Sequence, residues 1–234
     1  MDERVAPTRA ERHRGRRRTA STERRPDRVA MWAVFLGLFA MVAAAASAQA
    51  SSGGVGGGLP VAPGCSGLEF GTRALKLGDC GTDVQTLNLL LKSKSVGTGV
   101  IPDGQFADTT DQAVKAFQAE AGIGSSGVVD STTRKALKKS MNKQVASWYG
   151  PGFYGNETAC GEVLTKETVG VAHRSLPCGT KVTFFAHGNW ATAQVIDRGP
   201  YVKGRTWDLT GALAQQLGVL ATERVRAAAV VPAG

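Results

Sequence analysis

The alternation of apolar and polar residues changes in character at about residue 142. Between Leu75 and Ser140, apolar residues recur at steps of three and four, which predicts amphipathic helices. We expect Asp83 to cap the first helix, and Ser131 to Leu137 to form a third, short one. The predicted buried faces are Val84, Leu87, Leu90 and Leu91 in the first helix and Ala113, Val114 and Phe117 in the second.

Beyond Asn142 the chain has short apolar runs separated by Gly, Pro and Asn, as in 169–172, 181–185 and 191–196. Their length and β-branched content predict the strands of a small barrel. One helix interrupts them, with Thr210 as its cap and Gly218 at its end.

The N-terminal part of the chain predicts export. Residues 1–28 hold ten Arg and five acidic residues with no Leu, Ile, Phe or Trp, so they form a basic region that cannot bury a core. Residues 29–50 are uncharged and end in Ala48-Gln49-Ala50, which is typical of a cleaved signal peptide. An uncleaved membrane anchor is the alternative, because about 20 apolar residues span a bilayer. The Gly-rich segment 51–70 reads as a linker.

All four cysteines follow the apolar segment, so they lie in a compartment that favours disulfides. Three connectivities are possible. Neighbours in sequence are the expected partners, Cys65 with Cys80 and Cys160 with Cys178. A zinc site is the weaker alternative, because no C-x-x-C spacing occurs.

Charge adds little about partners. The chain carries +9, of which +4 belongs to the residues after Ala50. That is mild attraction to an anionic wall, and it is too weak and dispersed to argue for nucleic acid.

Three blocks carry the candidate chemistry: Ser147 to Gly155, rich in aromatics and Gly, Ala172 to Pro177, and Val195 to Tyr201. Aromatic rings and one Asp between apolar neighbours are what a groove for an extended sugar polymer needs. The order and spacing of these blocks resemble the rare lipoprotein A family, over roughly Val145 to Val231. That resemblance implies a double-psi β-barrel, and in some members a lytic transglycosylase acting on peptidoglycan.

Asp197 is the expected catalytic acid. It follows an apolar strand and precedes Arg198-Gly199-Pro200, where the chain must turn sharply. A carboxyl partly shielded from water holds its proton more readily, which suits a general acid. The alternative is an Asp that only caps the turn. The resemblance favours catalysis, because the matching Asp is implicated in the transglycosylase members.

Glu162 and His173 carry over from the same family. The segment Ala159-Cys160-Gly161-Glu162 resembles the family's Ala-Asn-Gly-Glu, with Cys160 in the place of Asn. A surface Glu and a structural His are the alternatives. Asp208 also matches a family Asp, but its place before a helix cap predicts a structural hydrogen bond.

Sugar contacts are expected from five aromatic side chains and one arginine. About half of the rings could equally belong to the barrel core. Trp148 and Tyr149 alternate, so they cannot both face inward on a strand. The candidate binding residues are Trp148, Tyr149, Phe153, Tyr154, Arg198 and Tyr201.

The helical segment resembles the peptidoglycan-binding domain type 1, a three-helix module. The resemblance rests on the series from Leu75-Lys76-Leu77-Gly78 through Asp103-Gly104-Gln105-Phe106 to Gly127-Val128-Val129-Asp130. The binding function is implied by the family, since the matching residues are mostly core and turn positions.

The sequence therefore predicts a multidomain chain: an all-α three-helix peptidoglycan-binding module (71–140), followed by a mainly β, six-stranded double-psi β-barrel (143–232). The expected activity is that of an exported lytic transglycosylase, without metal or cofactor, cleaving MurNAc-GlcNAc bonds to 1,6-anhydro ends. An expansin-like binding protein and a two-carboxylate glycoside hydrolase are the alternatives. We expect a monomer that is secreted into the cell wall or anchored at the outer face of the cytoplasmic membrane.

Overall fold

The computed structural model describes residues 64–65 and 67–232, which belong to one compact unit of the chain (Ala50–Gly234). The predicted basic region, the signal peptide or anchor, and most of the predicted linker lie outside the described residues. Within the described part, none of the helices has the length and apolar character needed to cross a bilayer.

Three helices form the first part of this unit, as predicted. They are α1 (Thr82–Lys92), α2 (Asp108–Glu120) and α3 (Ser131–Ser140). The predicted faces of α1 and α2 are buried together with Phe106 and Leu137, because each helix is too short to be stable in water without packing.

The predicted cap of α1 is wrong. Gly81 occupies the N-cap position, and no side chain makes a capping hydrogen bond there. Asp83 lies in the first turn, buried, and its Oδ2 accepts a hydrogen bond of 2.7 Å from Arg73 Nε. A buried carboxylate needs a charged partner, and Arg73 supplies it.

The second part is a closed six-stranded barrel, which confirms the predicted fold class. The strands are β1 (Asn142–Tyr149), β2 (Gly170–Ala172), β3 (Lys181–Ala186), β4 (Asn189–Asp197), β5 (Trp207–Thr210) and β6 (Glu223–Val230). They follow the order β1-β5-β2-β4-β3-β6 around the barrel, with β1 parallel to β5 and β2 parallel to β4.

Helix α4 (Gly211–Leu217) leaves the barrel directly after β5. As predicted, Thr210 caps it by accepting a hydrogen bond from the Leu213 N–H, and Gly218 ends it in the left-handed conformation at φ 73°. Leu213 and Leu217 are fully buried against the barrel core.

The helices and the barrel share part of one core. Ala228 of β6 belongs to the helical core, and the partly buried Phe185 and Trp190 pack against it. The rings of Phe70 and Trp190 meet edge to face, with centroids 5.0 Å apart. The domain boundaries remain a prediction, but the helices contact the barrel directly.

The end of α3 makes polar contacts both with the barrel and with the helical part. The Arg226 guanidinium donates hydrogen bonds to the carbonyls of Lys138, Lys139 and Met141, at 3.0 to 3.4 Å. Lys94 Nζ donates to the Ser140 carbonyl at 2.7 Å. The Lys138 carbonyl also accepts a hydrogen bond from the Met141 N–H at 3.3 Å, and the cations supply further donors where the helical N–H groups end.

Both predicted disulfides are present, and they confirm the expected pairing. Cys65 is bonded to Cys80 beside α1, and Cys160 to Cys178 beside the barrel.

Candidate active site

Four polar or small residues form a row across neighbouring strands of the barrel. The strand registers place Ser147 beside Asp208, Asp208 beside Ala172, and Ala172 beside Asp197. Because directly paired residues share one face of a sheet, the two carboxyls flank a methyl group. The small Ala172 leaves space between them that a larger side chain would occupy.

A bulge brings Asp197 into this row. The pairing of β2 with β4 shifts between Val171 and Ala172, so that Ala172 lies opposite Asp197 and Ile196 is the additional residue. Without the bulge, alternation would direct Asp197 to the other face of the strand. A bulge cannot be seen in the sequence pattern.

Asp197 ends β4, where the sequence predicted a strand end before a sharp turn. Its Oδ1 accepts hydrogen bonds from the backbone N–H groups of Ala159 (2.9 Å) and Arg198 (2.8 Å). The side chain is only half-buried. One carboxyl oxygen is therefore held by the main chain, while the side chain as a whole stays partly open to solvent.

The loop that holds Asp197 also carries Glu162. Cys160 joins it to Cys178 by the disulfide and to β4 by a hydrogen bond from its N–H to the Ile196 carbonyl at 3.1 Å. Glu162 itself is exposed and lines an open cavity of about 310 Å³. The other residues lining this cavity are Thr165, Glu167, Thr168, Val169, Gln194 and Ile196.

Tyr149 carries a buried phenol close to the acidic residues of the row. Its hydroxyl makes no hydrogen bond of standard geometry, while its ring meets Phe153 edge-on at 6.1 Å. Burial raises the pKa of Tyr149, and the Asp197 carboxylate raises it further. The charges of Asp208 and Glu162 act in the same direction.

Asp208 is a candidate that the sequence analysis assigned to a structural role. Its Oδ1 is buried and has no hydrogen-bond partner among the described residues. Burial raises the pKa of Asp208; the neighbouring polar Ser147 and the charge of Arg205 oppose the shift, and the charge of Asp197 adds to it. Only the pairing of β5 with β2, which no local pattern reveals, places Asp208 close to Asp197.

His173 directly follows β2 in the chain, next to Ala172 of the row. Its Nδ1 accepts hydrogen bonds from the N–H groups of Leu176 (3.0 Å) and Ser175 (3.3 Å), so the neutral ring carries its proton on Nε2. The ring packs on Trp207 at 4.6 Å. Burial lowers the pKa of His173, and the nearby Arg174 and Arg198 lower it further. It is linked to Asp197 through the main chain, by a hydrogen bond from the His173 N–H to the Asp197 carbonyl.

Two arginines hold the loops at this end of the barrel. Arg198 donates to the Leu176 carbonyl at 3.1 Å and to Cys178 Sγ at 3.3 Å. Arg174 donates to the carbonyls of Pro200, Val202 and Arg205. The observed contacts of Arg198 are therefore within the protein, and its sugar contact stays a prediction.

The predicted aromatic contacts differ in their access to solvent. Tyr201 is 81% exposed and Phe153 55%, so both can present a ring to a ligand. Trp148 is 38% exposed and donates from Nε1 to the Leu220 carbonyl at 3.0 Å. Tyr154 is half-buried. As the alternation predicted, Trp148 and Tyr149 lie on opposite faces of β1.

Comparisons with known proteins agree with the two sequence resemblances. Residues 142–231 match the family model described as "Lytic transglycolase", and residues 80–137 match "Putative peptidoglycan binding domain". The "Probable endolytic peptidoglycan transglycosylase RlpA" of Synechocystis is 42% identical over 36% of this chain and 27% of its own length. The "Endolytic peptidoglycan transglycosylase RlpA" of Campylobacter jejuni is 41% identical over 33% of this chain and 29% of its own.

The chain thus spans less than a third of the length of these two relatives. A solved expansin of Clavibacter michiganensis is 22% identical, over 40% of this chain and 52% of that chain, with a TM-score of 0.33, which is too low to argue from. The predicted resemblance is confirmed: the chain joins a segment of the peptidoglycan binding type to a barrel segment that matches the lytic transglycolase family and its RlpA relatives.

Proposed function

We propose that this protein is an exported peptidoglycan-remodelling enzyme whose barrel acts as a lytic transglycosylase, with Asp197 as its acid and base. The observation that carries the proposal is the state of the Asp197 carboxyl. Two main-chain N–H groups fix one of its oxygens, the side chain remains half-exposed, and the chain around it matches the transglycolase family.

One carboxyl is enough for this chemistry. The protonated Asp197 gives its proton to the oxygen of the MurNAc-GlcNAc bond while the bond from that oxygen to the muramic acid C1 breaks. The C6 hydroxyl oxygen of the same sugar bonds to C1, and its proton passes to the Asp197 carboxylate. The products are a free hydroxyl and a 1,6-anhydro end, the acid is restored, and no water is consumed.

The other site residues have supporting roles in this proposal. Neutral His173, with its proton on Nε2, is a hydrogen-bond donor for a sugar hydroxyl or the leaving oxygen. Glu162 lines the adjoining cavity, where its carboxylate and the hydroxyls of Thr165 and Thr168 suit a polar sugar. Phe153 and Tyr201 supply exposed rings for stacking on sugar faces.

The helical segment is proposed to hold the protein on the wall. A binding module joined to a catalytic domain raises the local concentration of glycan at the active site without new contacts in the site itself. Because the helices pack directly on β3 and β6, the wall-binding segment would stay at a constant distance from the active site.

The product of the reaction tests the proposal. Purified protein covering residues 51–234 is incubated with peptidoglycan, and the soluble fragments are analysed by mass spectrometry. Anhydro ends are expected. Reducing ends would instead indicate a hydrolase that uses Glu162 together with Asp197, and unchanged strands with retained wall binding would indicate an expansin-like protein.

A further inference from the structure

We propose that Tyr149 is a positioning residue for Asp197: its phenolic O–H donates a hydrogen bond to the carboxyl oxygen that exchanges the proton, and it does so when that oxygen becomes charged. The inference rests on the proposed function for its catalytic consequence, but its geometric part can be tested without activity.

The first argument is the unsatisfied hydroxyl. The Tyr149 oxygen is buried and makes no hydrogen bond of standard geometry with the described residues. An unpaired buried hydroxyl costs free energy, so such groups are rare unless they have a partner in another state of the protein. The Tyr149 ring also meets Phe153 edge to face, with centroids 6.1 Å apart, so the ring has a packing partner on the protein side.

The second argument is which groups stand near that hydroxyl. Among the charged groups, Asp197 has the largest effect on the phenol, and its Oδ1 already accepts hydrogen bonds from the N–H groups of Ala159 and Arg198. The partner left for the phenol is therefore Oδ2. Ala172, the residue between Asp208 and Asp197 in the row, presents only a methyl group on this face of the barrel.

The third argument is the charge of the phenol. Because burial and the surrounding carboxylates raise the pKa of Tyr149, the phenol keeps its proton and can only donate. It does not transfer that proton during the reaction. When Asp197 has given its proton to the leaving oxygen, the hydrogen bond donated by the Tyr149 hydroxyl stabilises the new carboxylate. This hydrogen bond weakens again when the proton of the C6 hydroxyl passes to Asp197.

Kinetics of Tyr149→Phe test the catalytic part. We expect kcat to fall about tenfold to a hundredfold, the effect of one hydrogen bond to a charged group, with KM changed less than about twofold. The melting temperature should not fall, because Phe removes a hydroxyl that has no partner in the resting structure. Unchanged kcat would overturn the proposal.

Thr183→Val is the matched control. It also removes a buried barrel hydroxyl, but this hydroxyl is hydrogen-bonded to Thr192 at 3.0 Å. Its melting temperature should fall while kcat is kept. If Tyr149→Phe behaved in this way, the hydroxyl would be structural.

A second measurement does not depend on catalysis or on the folding of Tyr149→Phe. The chain has three tyrosines, so labelling their Cζ atoms with ¹³C gives three resonances, which Tyr154→Phe and Tyr201→Phe assign. The Tyr149 resonance should shift as pH crosses the range where carboxyls ionise, and most of this shift should vanish in Asp197→Asn. An equal shift in both proteins would overturn the proposal. Wild-type protein that releases no anhydro ends but shows the NMR response would contradict only the proposed function.

Discussion

The Oδ1 atom of Asp197 accepts a 2.9 Å hydrogen bond from the N–H of Ala159, the residue immediately before the disulfide-bonded Cys160. The position of the proposed acid is therefore tied to the loop that the Cys160–Cys178 bond closes.

Removing this disulfide should affect both activity and stability. For Cys160→Ser with Cys178→Ser we expect kcat to fall several-fold, because the loop that donates to Asp197 loosens, and the free energy of unfolding to fall by roughly 3 kcal/mol. Turnover assays and denaturant unfolding measure the two effects.

The other disulfide provides the control. Cys65 and Cys80 are 15 positions apart in the sequence, and Cys160 and Cys178 are 18 apart. Cys65→Ser with Cys80→Ser should therefore lower the free energy of unfolding by a similar amount. That variant should keep kcat, since the bond lies beside α1. Equal losses of kcat in both double variants would show that the effect is general instability.

Asp197→Asn should abolish anhydro product while wall binding is retained. Asparagine keeps a side-chain oxygen for the two main-chain N–H groups but cannot exchange the proton, so we expect a loss of at least about 100-fold in kcat. Product mass spectrometry and pull-down with insoluble peptidoglycan measure these properties. Asp108→Asn, on the exposed start of α2, is the charge-matched control and should be active. Anhydro release by Asp197→Asn would remove its assigned role.

Glu162→Gln should have a smaller effect, less than about tenfold in kcat, because Glu162 is exposed and lines a cavity that reaches Ile196 but is not lined by Asp197. The change should appear mainly in KM, as expected for a sugar contact. A loss as large as that of Asp197→Asn, with reducing ends in the wild-type products, would favour the two-carboxylate hydrolase.

Asp208 should make stability depend on pH. Its folded pKa is raised, mainly by burial, so the folded protein binds the Asp208 proton more tightly than the unfolded chain. The stabilisation that this proton provides is complete below the unfolded pKa and is lost as pH rises through the folded pKa.

Asp208→Asn should therefore raise the melting temperature at neutral pH, and the gain should disappear at acidic pH where Asp208 is protonated. Thermal unfolding across this range measures it. A gain that is independent of pH would mean that the charge is not its source.

Arg226→Ala should weaken the junction between helices and barrel. Its guanidinium donates hydrogen bonds to three backbone carbonyls at and just after the end of α3. We therefore expect a loss of about 1.5 kcal/mol in the free energy of unfolding. Arg224→Ala is the matched control. Arg224 lies two residues away on β6, is exposed, and its side chain makes no hydrogen bond with the described residues. Equal melting temperatures for the two variants would contradict the role of Arg226.

Local signals were sufficient for the elements and for the two cysteine pairs. The three-residue and four-residue steps in α1 and α2, the Thr210 cap and the Gly218 end are properties of neighbours along the chain, and these predictions are confirmed. The cap at Asp83 failed because the helix begins one residue before Asp83, with Gly81 at the N-cap, and the Asp83 carboxylate is shared between the distant Arg73 and the N–H of Val84.

Asp197 could be singled out from the strand end, the Gly and the Pro next to it in the chain, but its role as an acid was predicted from the family resemblance and stays a prediction. Its surroundings could not be read from the chain in this way. The bulge opposite Ala172, the approach of Asp208, the buried phenol of Tyr149 and the packing of Trp190 on the helical core join residues far apart in sequence. Side-chain periodicity reports which face of an element is apolar, whereas the pairing of strands in a closed barrel is decided by contacts far apart in sequence, and this pairing places Asp208 and Asp197 in one row.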